Sequence, residues 1–288
     1  MAVAPVATAL TAEKESVSVY KQNLEAAPPL AICAEGLFKR FGMCQALNGL
    51  SLHVPRGAFY ALLGPNGAGK STSLALLNGV LKPDAGSIGV LGMDALKHPL
   101  EIKRRLGAVP EELALFERLT SRQQLLFSAR MFGLGGREAL RRADELLEVL
   151  ELSQKANEVV ASLSKGMRRR LAIASALIHS PQLVLLDEPF EGVDIMASEV
   201  IRSLLMKLSA QGVSILLTTH VLEIAEKMAS HVGILVEGRM AMEGPVEVLK
   251  AQHQAASLEA LFFQTAPKPR TASLALSFFD SKKEGAGK

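Results

Sequence analysis

The sequence predicts an α/β fold with a mostly parallel sheet. Three observations carry this. Short apolar runs that suit buried strands, "AFYALL" (58–63), "LVLLDE" (183–188) and "SILLTT" (214–219), alternate with helical stretches. A glycine-rich loop sits between the first of these strands and a helix near 70–81. Residues 120–151 look helical, and the block at 120–160 interrupts the alternation and reads as an insertion into the core.

Each element follows in order. "AICAEGLF" and "LNGLSLHV" read as strands ending at a turn, Arg56–Gly57. "KPDAG" (82–86) turns the chain into another strand, "SIGVLG". In the helical block Thr120 and Gln123 have capping-box spacing. Leu140, Ala143, Leu147 and Leu150 are expected on one buried face. "HVGILVEGRMAMEG" closes the ordered chain as a hairpin. Residues 1–29 read as a flexible extension, and 266–288 as a tail without fixed structure.

The totals narrow the class. The chain has 288 residues, 49% of them hydrophobic, and a net charge of +3. That balance is too mild to argue for nucleic acid or an anionic membrane. The basic clusters 103–105, 141–142 and 168–170 are small and lack interleaved aromatics, so no nucleic acid is expected. Cys33 and Cys44 have no zinc-type spacing and are read as reduced thiols of a cytoplasmic protein. No apolar run reaches the ~18 residues of a membrane span.

"GPNGAGKST" comprises Gly64, Pro65, Asn66, Gly67, Ala68, Gly69, Lys70, Ser71 and Thr72. It fits the phosphate-binding pattern in its required strand-to-helix context. Its glycines let backbone N–H groups turn toward phosphate oxygens, and the following helix adds partial positive charge. Lys70 can reach the β- and γ-phosphates, and Ser71 can ligate Mg²⁺. Asp187 and Glu188 end an apolar strand at the carboxyl edge, where such sheets place ligands. Asp187 is expected to hold Mg²⁺ and Glu188 to orient the attacking water. Nucleotide binding with hydrolysis follows. A guanine-specific N-K-x-D sequence is absent, which disfavours GTP.

"GPNGAGKST", "LSKGM", "LVLLDEP", "EGVD" and "TTH", in this order, resemble the ABC ATPase family over roughly residues 31–265. The arrangement looks like the separate ATP-binding subunit of an ABC transporter, especially the export type. The resemblance implies a P-loop NTPase core, a small antiparallel β-subdomain and a helical subdomain at about 111–165, all within a 30–265 domain. It implies a head-to-tail dimer, of two copies or with a related ATPase, that sandwiches ATP. Each nucleotide would touch the P-loop of one chain and Ser164 and Gly166 of the other. Asp194 would lie beside the opposite P-loop, and His220 would contact the γ-phosphate. Phe41 takes the place of an adenine-stacking aromatic, with core packing as its plain alternative. An integral membrane permease is the implied partner, holding the chain peripherally at the cytoplasmic face of the membrane.

Two departures stand out. Glu111 occupies the place of a Mg²⁺-binding glutamine and is expected to keep the metal contact. Lys165 and Met167 replace a glycine and a glutamine of the signature. The arginines Arg168, Arg169 and Arg170 sit where a helix dipole disfavours them. One is expected to draw nucleotide to the dimer interface and the others to be solvated. A soluble ATPase acting on nucleic acid or the ribosome is the competing function.

Overall fold

The computed structural model describes residues 29–265; the two terminal segments lie outside them. The strands are β1 (Leu30–Phe41), β2 (Cys44–Pro55), β3 (Phe59–Leu63), β4 (Ala85–Val90), β5 (Met93–Asp94), β6 (Leu106–Val109), β7 (Leu183–Asp187), β8 (Ser214–Thr219), β9 (His231–Val236) and β10 (Arg239–Pro245). Six of them form the central sheet in the order β10-β9-β3-β8-β7-β6. It is parallel except for β10, which returns antiparallel beside β9. Every residue of β3, β7 and β8 is buried, because both sheet faces are covered.

Period-two alternation divides β3 between two cores. Phe59, Ala61 and Leu63 face Ile173, Leu177, Ile201 and Leu205. Tyr60 and Leu62 face the other way, toward a second sheet of order β2-β1-β4-β5. That sheet is antiparallel and contributes Ile32, Ala34, Leu50, Leu52, Val54, Ile88 and Val90. Each buried Val, Leu or Ile among them contributes roughly 1.5–3 kcal/mol. The helix α1 (Lys70–Leu77) lies in the same cluster through Leu74, Leu76 and Leu77.

After the short α2 (Pro99–Lys103), the helical block holds α3 (Ser121–Met131) and α4 (Gly136–Val149). The capping box forms as the sequence predicts: Thr120 accepts from the Gln123 N–H, and Gln123 accepts in return from the Thr120 N–H. The block is not one continuous helical run. Gly133 and Gly136, at φ 81° and 59°, break it. The buried face also differs by one position. Ala139, not Leu140, lines up with Ala143, Leu147 and Leu150, and Leu140 is 44% exposed.

This block joins the core through α5 (Lys165–Leu177) by reciprocal capping. Arg170 of α5 donates to the Leu150 carbonyl at the end of α4, and Arg142 of α4 donates to the Ile178 carbonyl at the end of α5. Each cation meets a helix C-terminus, where the dipole favours it. Four further helices follow: α6 (Ile195–Ala210), α7 (Leu222–Met228), α8 (Val246–Gln252) and α9 (Leu258–Thr265). Among the described residues no helix is long and apolar enough to cross a membrane.

Candidate functional site

The carboxyl ends of three adjacent strands meet at one edge. Leu63 of β3 pairs with Thr219 of β8, and Asp187 of β7 with Thr218. Everything that follows these ends is brought together: the Gly64–Thr72 loop, Glu188 and His220.

The loop demands glycine for two different reasons. A Cβ on Gly64 would meet the Leu235 carbonyl at 2.5 Å. Gly69 has φ 107°, and a Cβ there would meet the Ala46 carbonyl at 2.6 Å. Gly69 is also the N-cap of α1 and supplies no side-chain cap. The first N–H groups of α1 are therefore left for an anion, which the dipole favours.

Lys70 is buried and folds back over the loop, donating to the carbonyls of Gly64 (2.9 Å) and Pro65 (3.4 Å). Its ammonium also stands 3.7 Å from Glu188, which is buried in turn. His220 Nδ1 approaches the other Glu188 oxygen at 3.1 Å. Thr218 locks the acid pair. Its hydroxyl donates to the Asp187 carboxylate and accepts from the Glu188 N–H. Glu188 has φ 45°, a strained left-handed conformation for a side-chain-bearing residue. Ser71, Pro110 and Asp187 line one cleft.

The other predicted site residues lie elsewhere. Ser164 caps α5, accepting from the Met167 N–H at 3.3 Å. Asp194 caps α6, accepting from the Ala197 N–H at 2.9 Å. The two caps are neighbours, since a Cβ on Gly166 would stand 3.8 Å from an Asp194 carboxylate oxygen. Among the described residues, no hydrogen bond or ion pair links them to Gly64–Thr72. Phe41 is 47% exposed at the β1–β2 turn, with the Lys39 ammonium 5.7 Å from its ring centre. Exposure at that level is not core packing.

Glu111 lines a groove with Lys165, Arg168 and Arg169, next to the Ser71–Asp187 cleft rather than in it. The arginine expectation needs correction. Arg169 and Arg170 are both buried, not solvated. Arg169 donates to the carbonyls of Pro110 (3.2 Å) and Asp187 (3.5 Å). Burial pulls its guanidinium below the usual value, opposed by Glu191, Asp187, Glu111 and Glu188. The compensating anions thus include the acid pair itself, Asp187 and Glu188. Sequence reading missed Arg169's place here because a basic run gives no sign of which side chain turns inward.

Residues 47–191 match the family described as ABC transporter. The chain is 40% identical over 222 residues to a daunorubicin resistance ATP-binding protein of Streptomyces coeruleorubidus, covering 77% of this chain and 70% of that one. It is 42% identical over 211 residues to a Nod factor export ATP-binding protein of Burkholderia thailandensis, covering 73% and 69%. A solved ATP-binding subunit of an ABC transporter superposes with TM-score 0.76 at 31% identity, over 82% of this chain and 99% of that one. A dimeric ATP-binding cassette in a post-hydrolysis state, with ADP and Pi bound, superposes with TM-score 0.70 at 27% identity, over 74% and 98%. With a glycine-rich loop, an acid pair and a histidine gathered on one sheet edge, the chain belongs to the ABC transporter family as an ATP-binding, ATP-hydrolysing subunit.

Proposed function

We propose that this ATPase drives export through a separate membrane permease that holds it at the cytoplasmic face. The observation that supports it most is the Lys70–Glu188–His220 chain at the end of the phosphate loop. Lys70 rests on loop carbonyls and on Glu188. A γ-phosphate would draw the ammonium away and leave the Glu188 carboxylate to accept a proton from water. His220 would hold that carboxylate from its other side and reach the γ-phosphate. The α1 N–H groups would bind the β-phosphate. Phe41, exposed at the β1–β2 turn, would stack on the adenine.

Ser71 and Asp187 fit a hard cation, since a hydroxyl and a carboxylate share one cleft beside the phosphate loop. Mg²⁺ bound there would neutralise phosphate charge. Glu111 would join it only if its segment moves from the neighbouring groove. Ser164, Gly166 and Asp194 would close over the nucleotide of the opposite subunit. The roles of these relatives in daunorubicin resistance and Nod factor export support the outward direction. Phe116, 53% exposed and edge-on to Phe127, offers the permease an aromatic foothold, whereas Leu113 and Leu115 pack inward.

Glu188→Gln tests the reading. ATPase activity should fall by about 10²–10⁴-fold. ATP should still bind and should now trap a dimer on size-exclusion chromatography. A variant that hydrolyses normally, or that stays monomeric with ATP, overturns it. The nucleic-acid reading is not favoured by family or fold.

A further inference from the structure

Away from the ATP edge, the outer face of the antiparallel sheet gathers three metal-type donors. Cys33 of β1 stands directly opposite His53 of β2. Glu35 lies two residues further along β1, and so on the same face. The Cys33 sulfur, a Glu35 carboxylate oxygen and a His53 ring nitrogen all lie within 4.8 Å of one another. On the other side of β1, Cys33 faces Gly89 of β4, which has no side chain to fill the space.

The imidazole is held in one orientation. Its Nδ1 lies 3.1 Å from Glu243 Oε2, and its Nε2 lies 2.8 Å from Glu35 Oε1. Glu243 is itself fixed. Its Oε1 accepts from the His53 backbone N–H at 2.7 Å and from the Tyr60 hydroxyl at 2.8 Å. The side chains of His53 and Glu243 are 16% and 14% exposed, and that of Glu35 is 48% exposed. One ring nitrogen is thus anchored on a carboxylate set by the core, and the other points to an accessible carboxylate and thiol. Metal-binding histidines are oriented this way, with the non-ligating N–H given to a carboxylate.

We propose that Cys33, Glu35 and His53 form a site for a borderline-soft divalent ion of the zinc type, with Glu243 orienting the imidazole. The donor set of thiolate, imidazole and carboxylate excludes Mg²⁺ and Ca²⁺, which take oxygen ligands. Three protein ligands leave the fourth tetrahedral position to water. Binding releases the Cys33 thiol proton and the His53 Nε2 proton to solvent. The Nε2–Glu35 contact opens and the sulfur moves in to reach metal–ligand distances of about 2.0–2.3 Å. The ion would tie β1 and β2 through Glu243 to β10 of the central sheet.

Cobalt titration of the full chain, stripped with chelator and held in excess Mg²⁺ to occupy the ATP site, tests this. One equivalent of Co²⁺ should give a thiolate-to-cobalt charge-transfer band that Zn²⁺ abolishes. Cys33→Ser should remove the band while leaving the His53 hydrogen bonds and the circular dichroism intact. Cys44→Ser should keep the band. Glu243→Gln should weaken Co²⁺ affinity about 10–100-fold. No band at one equivalent, a band that survives Cys33→Ser, or one lost with Cys44→Ser overturns the assignment. It would then leave His53 as an ion-paired histidine and no more.

Discussion

The two halves of the ATP site are built on opposite terms. Around the phosphate loop the charged groups are buried and already partnered within the chain: Lys70 on Glu188, Glu188 on His220, Asp187 on Thr218. Ser164 and Asp194 are themselves exposed and engaged as helix caps. Ile195 and Met196, beside Asp194, are 86% and 75% exposed. A buried charge must be partnered or its ionisation is lost. An exposed cap has spare lone pairs and no such obligation. The first half is therefore a self-contained electrostatic device, and the second is the surface that, on the proposed reading, another subunit would complete.

Arg169 breaks this division, and replacing it should have the largest effect. Its helix starts at the exposed half, yet its guanidinium lies under the buried half, on the Pro110 and Asp187 carbonyls. Arg169→Met leaves both carbonyls without that donor and removes a cation close to Glu191, Asp187, Glu111 and Glu188. Denaturant unfolding should show a loss of about 1–3 kcal/mol. Arg169→Lys keeps the charge without the fork and should recover part of it. Equal stability of Arg169→Met and the parent would mean the two halves are not coupled through this residue.

Ser164→Ala sharpens the contrast from the other side. As a cap it is worth about 1 kcal/mol to the monomer. In the proposed dimer two such hydroxyls would face nucleotide, so ATP-driven dimerisation of the Glu188→Gln background should weaken by about tenfold or more. Sedimentation with and without ATP reads it. A loss confined to monomer stability would reduce Ser164 to a cap.

Legibility in the sequence follows the same split. β3, β7 and β8 were readable because fully buried parallel strands appear as unbroken apolar runs. The phosphate loop was readable because backbone geometry restricts Gly64 and Gly69. The Thr120–Gln123 box was readable because capping is local. Non-local choices were not. Ala139 rather than Leu140 faces inward because tertiary packing rotates α4. Helices α8 and α9 gave too few turns for a period, although Leu258 and Leu261 are fully buried. Cys33 and His53 show no spacing in the chain because strand register alone sets them opposite each other.

Lys165 should give the smallest effect. It stands where the family signature carries glycine, with its ammonium 3.4 Å from Glu191. Its stem lies over Gly192, where a Cβ would meet it at 2.7 Å. Both ends of the ion pair are well exposed, at 61% and 41%, so solvent screens it. A cation in the first turn of α5 also opposes the helix dipole, which offsets what the pair gains. Lys165→Gly should therefore leave the melting temperature unchanged within error. The ATPase rate should shift by no more than about tenfold, the scale of a screened contact of about 1 kcal/mol. A larger fall, seen as kcat with KM unchanged, would place the ammonium on the opposite subunit's phosphate during hydrolysis. Lys165 would then belong to the chemistry, and the exposed half would be more than a closing surface.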